Sequence, residues 1–160
     1  MSVPTDPKLP FDPIERAGEI WSSRIGESGP MKVATSIMRV QQLILAELDG
    51  ALKPYGITFA RYEVLVLISF SAEGSLPLSK IGERLMVHPT SVTNAIDRLE
   101  AQGLVKRRPD AADRRRTFAE LTAKGKDVLT ASTETLMAID FAIDGLSDTE
   151  QKKTYELLRT

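Results

Sequence analysis

The sequence predicts a mainly α fold with a small β-wing, and three observations lead there. Residues 78–121 read in order as helix, turn, helix, basic strand, arginine-rich tip and returning strand. Apolar residues recur at helical spacing on both sides of that stretch, which flanks it with amphipathic helices. Gly26, Gly29, Pro30, Pro54, Gly56, Gly103 and Gly145 mark breaks between these segments. Together they describe a winged helix-turn-helix domain flanked by dimerisation helices.

From the N-terminus, Met1 to Pro10 carries three prolines and reads as disordered. Asp12 and Pro13 then form an N-cap and first-turn pair, and Ile14, Ala17, Trp21 and Ile25 share one face of a short helix. Gly26, Ser28, Gly29 and Pro30 break it. Ala34, Ile37, Met38, Gln41, Ile44, Leu45, Leu48 and Leu52 give a long amphipathic helix that runs to about Lys53 and is stopped by Pro54 and Gly56. Thr58 is placed to cap the next helix, whose run from Val64 to Ile68 is apolar all round and so requires enclosure.

The central motif follows. Ser79 caps a short helix through Leu85, Met86 to His88 make a three-residue turn, and Pro89 stands where a first helical residue needs no N–H. In the second helix Val92, Ala95, Ile96 and Leu99 form the apolar face, leaving Thr90, Ser91, Thr93, Asn94, Asp97 and Arg98 on the other. Small and polar groups at a helix start can approach base edges in a major groove closely and hydrogen-bond to them. Gly103 ends that helix. Leu104 to Arg108 read as a strand, Pro109 to Arg116 as a polar tip, and Thr117 to Leu121 as the returning strand. Thr122 caps a long helix through about Ile143, and Ser147 with Glu150 makes a capping box for a last helix bearing Tyr155, Leu157 and Leu158.

The expected organisation is an N-terminal extension with a short helix (1–30), a dimerisation helix (31–57), a winged helix-turn-helix DNA-binding domain (58–121) and C-terminal dimerisation helices (122–160). The outer helices carry more apolar surface than one small winged domain covers, which argues for a homodimer with two recognition helices on a pseudo-palindromic operator.

Charge agrees with that division. Ser79 to Lys126 holds 11 Lys and Arg against 6 Asp and Glu, an excess of +5, while the rest of the chain stands at −6. A chain of net charge −1 thus joins a basic module to an acidic remainder. There is no cysteine, so no disulfide frame, thiolate zinc site or thiol switch. No apolar run reaches membrane-spanning length, and the first ten residues lack a signal-peptide core; the reading is a cytoplasmic chain with no membrane partner. Nor is there a nucleophile–base pair, a phosphate-cradling glycine loop or a histidine-rich spacing, so neither an enzyme nor a cofactor or metal is expected.

These segments resemble the multiple-antibiotic-resistance regulator (MarR) family over nearly the whole chain beyond residue 30. The stretch from Ile81 to Gly125, "IGERLMVHPTSVTNAIDRLEAQGLVKRRPDAADRRRTFAELTAKG", is similar to the family's helix, helix, Gly-Leu-Val strand, Asp-Arg-Arg wing and Leu-Thr-x-x-Gly exit; "YGITFARYEVLVLI" from Tyr55 resembles the segment before it. The resemblance implies a homodimeric winged-helix transcription regulator, usually a repressor, that dimerises through its terminal helices and is released from DNA by a small ligand or an oxidant. It also implies that Asp113 holds Arg115, the arginine that enters the minor groove, with Arg114 and Arg116 as backbone neighbours. The chain departs from the family's peroxide sensors, which need a thiol, and from its metal-responsive members, since His88 is its only histidine.

The expected DNA contacts are therefore His88, Pro89, Thr90, Ser91, Thr93, Asn94 and Arg98 from the helix, and Lys106, Arg107, Arg108, Asp113, Arg114, Arg115 and Arg116 from the wing. An effector of unspecified class is expected between the dimer helices and the winged domain, with Trp21, Met38, Tyr55, Arg61 and Tyr62 as candidate lining. The helix of the N-terminal extension reads first as a cover for the dimer surface and second as a lid. The rival function is a winged-helix module for protein–protein or RNA interaction. Six basic residues on one hairpin speak against a protein partner, and Phe118, the sole aromatic from Leu78 to Leu121, is too few for stacking single-stranded RNA.

Overall fold

The computed structural model describes residues 10–110, 113 and 116–159. Arg114, Arg115 and the expectation for residues before Pro10 lie outside them. The chain divides into two compact units, Met1–Glu47 and Leu48–Thr160.

In the first unit, α1 (Pro13–Arg24) starts where the Asp12–Pro13 pair requires: Asp12 Oδ1 accepts from the Ile14 N–H at 2.8 Å and the Glu15 N–H at 3.3 Å. Gly29 and Pro30, expected to break the chain, instead open α2 (Gly29–Leu52), because a proline in a first turn forfeits no helical hydrogen bond. The break narrows to residues 25–28. The two helices meet at Gly18, where an added Cβ would lie 2.7 Å from the Lys32 stem; Lys32 Nζ continues to Glu15 at 2.8 Å, and the Ser22 and Ser28 hydroxyls bond at 2.8 Å. Apolar side chains of both helices, among them Ile20, Val33, Ile37, Val40 and Leu43, stay exposed.

The second unit carries the core. A 3-10 turn at Lys53–Tyr55 ends at the left-handed Gly56, and α3 (Phe59–Ser69) follows. Thr58 has the extended backbone of a cap, yet its hydroxyl makes no cap bond; Asp49 Oδ1 takes the Phe59 N–H at 2.7 Å instead. Of the apolar run, Val64, Leu65 and Ile68 are buried, and Val66 and Leu67 are half-buried. A short strand unanticipated by the sequence reading, β1 (Ser75–Pro77), leads into α4 (Leu78–Leu85), so that Pro77, not Ser79, holds the N-cap position. Met86 leaves α4 in the left-handed region (φ 53°), and α5 (Pro89–Ala101) begins after His88. Gly103 (φ 71°) closes α5, with Gly103 N–H to Glu100 O and Leu104 N–H to Leu99 O both at 2.9 Å, the paired bonds that a left-handed glycine makes possible.

Strands β2 (Val105–Pro109) and β3 (Thr117–Leu121) then pair antiparallel, and β1 adds to the far side of β3, giving the order β1-β3-β2. Thr122 caps α6 (Ala123–Ala138), its Oγ1 accepting from the Gly125 N–H at 2.9 Å while donating to Gly103 O at 2.7 Å. Gly125 must be glycine, because a Cβ there would stand 2.0 Å from the Leu104 carbonyl oxygen. The helix ends at Ala138 rather than near Ile143, since Asp140, Phe141 and Ala142 all take positive φ and turn left-handed. The expected Ser147–Glu150 capping box opens α7 (Asp148–Leu157). Leu52, Leu65, Ile68, Ile81, Ile96, Leu99, Leu104 and Leu136 are fully buried and tie α3 to α6 and the sheet into one core. No helix among the described residues is long and apolar enough to cross a membrane.

Candidate nucleic-acid interface

Period-three and period-four spacing sets the exposed face of α5. Val92, Ile96 and Leu99 anchor the helix in the core, and Thr90, Ser91, Thr93, Asn94, Asp97 and Arg98 remain exposed. His88 caps the helix through its ring: Nδ1 lies 3.2 Å from the Thr90 N–H and 3.1 Å from Thr90 Oγ1. The Thr93 hydroxyl bonds back to Pro89 O at 3.1 Å, which leaves Asn94 as the first-turns side chain with an amide free of any partner among the described residues.

Strand alternation sorts the basic residues of the wing. Val105 and Arg107 of β2 point to the α5 side, and Lys106 and Arg108 to the other. Arg107 is bound by Asp97 at 2.5 Å and by Glu100 through its side chain, and Glu100 also accepts the Arg107 backbone N–H at 3.0 Å. Partial burial works against its charge, but the bonds and field of Asp97 and Glu100 outweigh that and raise its pKa. On the opposite face Lys106 stands directly across from Glu120 and pairs with it at 3.0 Å; Arg108 stands across from Phe118, its guanidinium 4.8 Å from the ring centre. Arg116 lies over the same ring at 5.6 Å and 3.6 Å from Asp110. The hairpin tip closes through Asp110 N–H to Arg116 O and Arg116 N–H to Asp113 O, at 3.1 and 2.9 Å.

Among the described candidates, Arg107 faces α5 and is held by its carboxylates, whereas Lys106 and Arg108 lie on the opposite face of the hairpin with Glu120 and Phe118. The alternation of β2 carried that signal in the sequence, as did the carboxylates Asp97 and Glu100 three residues apart. Phe118 as a platform for two guanidiniums went unread because it depends on cross-strand register.

Of the effector candidates in the second unit, Arg61 and Tyr62 border different clefts. Trp21 and Met38 belong to the first unit. In the second, the Tyr55 hydroxyl bonds Thr135 Oγ1 (2.6 Å) and Ala131 O (3.0 Å), and that of Tyr62 bonds Thr133 (3.0 Å), so both serve α6 packing. Arg61 borders a cleft between α3 and α5, whereas Tyr62 lines a separate apolar one of about 380 Å³ with Glu63, Phe70 and Phe141. Burial pushes the Glu63 carboxyl above its ordinary pKa.

The sequence profile of the MarR family matches residues 57–117. The chain is similar to Sco5413, a MarR family transcriptional regulator from Streptomyces coelicolor, with 53% identity, coverage of 81% of this chain and 90% of that one, and a TM-score of 0.77. It is 28% identical over 130 residues to the HTH-type transcriptional regulator MhqR of Bacillus subtilis, spanning 81% of this chain and 88% of MhqR. It also matches Sco3205, a MarR family transcriptional regulator from Streptomyces coelicolor solved in complex with DNA, at 26% identity and a TM-score of 0.73, covering 79% of this chain and 84% of that one. A winged helix-turn-helix of this kind defines a DNA-binding transcription regulator, not an enzyme. The chain belongs to the MarR family.

Proposed function

We propose that the protein is a homodimeric repressor that reads a pseudo-palindromic duplex operator and is released by a small molecule. The observation that supports this best is the exposed start of α5, with Thr90, Ser91 and Asn94 bare of bulk and a basic hairpin beside it. In this reading Asn94 pairs with a base edge, and Pro89, Ser91, Thr93, Arg98, Lys106, Arg108 and Arg116 meet backbone or base edges. His88 and Arg107 hold the reading elements in place, and Asp113 and Arg115 serve the minor groove. The DNA-bound state of Sco3205 supports the partner. The exposed apolar stripes of α1, α2 and α7 support a second copy as their cover. The site of action would be the cytoplasm, where an operator is met.

The test is selection of bound duplexes from a random pool, followed by titration against the selected duplex and its separated strands. A two-fold symmetric motif bound in preference to either strand is expected. Preference for single strands, or no duplex binding at low salt, would overturn the reading.

A further inference from the structure

Between the first turn of α3 and the flank of α5 lies an open cleft of about 690 Å³ lined by Thr58, Arg61, Ser91, Asn94, Asp97 and Arg98. Ser91, Asn94 and Arg98 follow one another at spacings of three and four, so they occupy a single flank of the helix, adjoining its exposed face. Arg61 reaches this flank from α3 and is half-buried, yet among the described residues its guanidinium has no ion pair or hydrogen bond, and neither has that of Arg98. Lys106, Arg107, Arg108 and Arg116 all have carboxylate partners. The one acidic group in the cleft, Asp97, is engaged by Arg107, which leaves the two arginines uncompensated. A cation partly withdrawn from water without a partner is unfavourable and is relieved by an anion.

We infer that Arg61 and Arg98 form a phosphate-binding pair that grips the DNA backbone along the inner flank of α5, in addition to the contacts of the helix start and wing. This rests on the DNA-binding reading above. A helix roughly 10–12 Å across fills a major groove about 12 Å wide, so its flanks stand against the phosphates of the groove wall. The cleft places two forked donor sets at such a flank, with the Ser91 and Thr58 hydroxyls beside them. Arg61, considered from sequence as an effector ligand, is thereby assigned to DNA.

The experiment compares wild type, Arg61→Ala, Arg61→Lys, Arg98→Ala and, as a charge control on α1, Arg16→Ala, measuring affinity for the selected operator and for random duplex across a salt series. Arg61→Ala and Arg98→Ala should each lower the slope of log K against log [salt] by about 0.9 per half-site. Both should weaken operator and random DNA by the same factor. Arg61→Lys should restore most of the slope, and Arg16→Ala should leave it unchanged. Circular dichroism establishes that each variant is folded, and Arg98→Ala, on an exposed helix face, stands in if Arg61→Ala is not. Wild-type slopes in both alanine variants, or an equal fall in Arg16→Ala, would overturn the inference. So would a melting-temperature rise of DNA-free wild type with inorganic phosphate that Arg61→Ala abolishes without altering the DNA slope, which would mark a site for a free anion. A wild type that fails to bind duplex at all instead refutes the DNA-binding reading itself.

Discussion

At the residue scale, Asn94 and Glu63 show how one side chain's surroundings fix its role. Asn94 sits in the first turns of α5, exposed and free to present its amide to an adenine edge. Asn94→Ala should cost about 1–3 kcal/mol on the selected operator and much less on random duplex; equal losses in a side-by-side titration would make it a backbone contact. Glu63 lies against an apolar cleft that raises its pKa. A carboxyl whose folded pKa exceeds its unfolded value stabilises the fold below the unfolded value, and that contribution is lost as pH rises through the folded one. Glu63→Gln should therefore raise the melting temperature at pH 7, with the difference vanishing near about pH 4; a pH-independent difference between the two melts would refute this. The Asn94 position was legible because helical spacing alone puts it outside. The environment of Glu63 was not, since it depends on Phe141 arriving from a turn far along the chain.

At the scale of elements, boundaries show where local chemistry sufficed and where tertiary contacts overrode it. Asp12, Thr122 and the Ser147–Glu150 box were readable because each cap bonds within three residues of itself. Gly103 and Gly125 were readable as motif glycines, though the close approach to Leu104 that demands Gly125 shows only in three dimensions. The cap of α3 was readable in position, since Thr58 holds the N-cap, but not in bonding: its hydroxyl makes no cap bond, and Asp49, ten residues upstream, takes the Phe59 N–H. Asp49→Ala should thus lower stability by about 1 kcal/mol in denaturant titration, whereas Thr58→Ala should cost only a few tenths. The reverse order would return the capping bond to Thr58. The strand β1 escaped notice because three residues are too few to show alternation, and it exists through pairing with β3. The left-handed Asp140–Ala142 turn carries no glycine or proline to announce it, so the apolar periodicity through Phe141 read as continuous helix.

At the scale of the molecule, the apolar side chains left bare on α2 and α7 call for a second copy, and sedimentation at micromolar concentration should show a dimer. Its selected operator should carry half-sites about 10 base pairs apart between centres; a monomer bound to one half-site would contradict this. The absence of cysteine from the whole sequence further predicts that mild peroxide leaves operator affinity unchanged. Release by peroxide, reversed by reducing methionine sulfoxide, would refute that. The bond between Arg107 and the α5 carboxylates Asp97 and Glu100 bears on how such a dimer is switched. It fastens the root of the hairpin to α5, so in the proposed reading an effector has little freedom to turn one without the other. In the proposed reading, what a ligand would change is then a length, the separation of two identical reading heads. A protein switched by length is not blind to DNA in its released state; it is tuned to another spacing. Operators with one or two base pairs inserted or removed between half-sites should retain affinity for the effector-bound dimer, and cutting the fastening with the double variant Asp97→Ala, Glu100→Ala should erase that spacing preference.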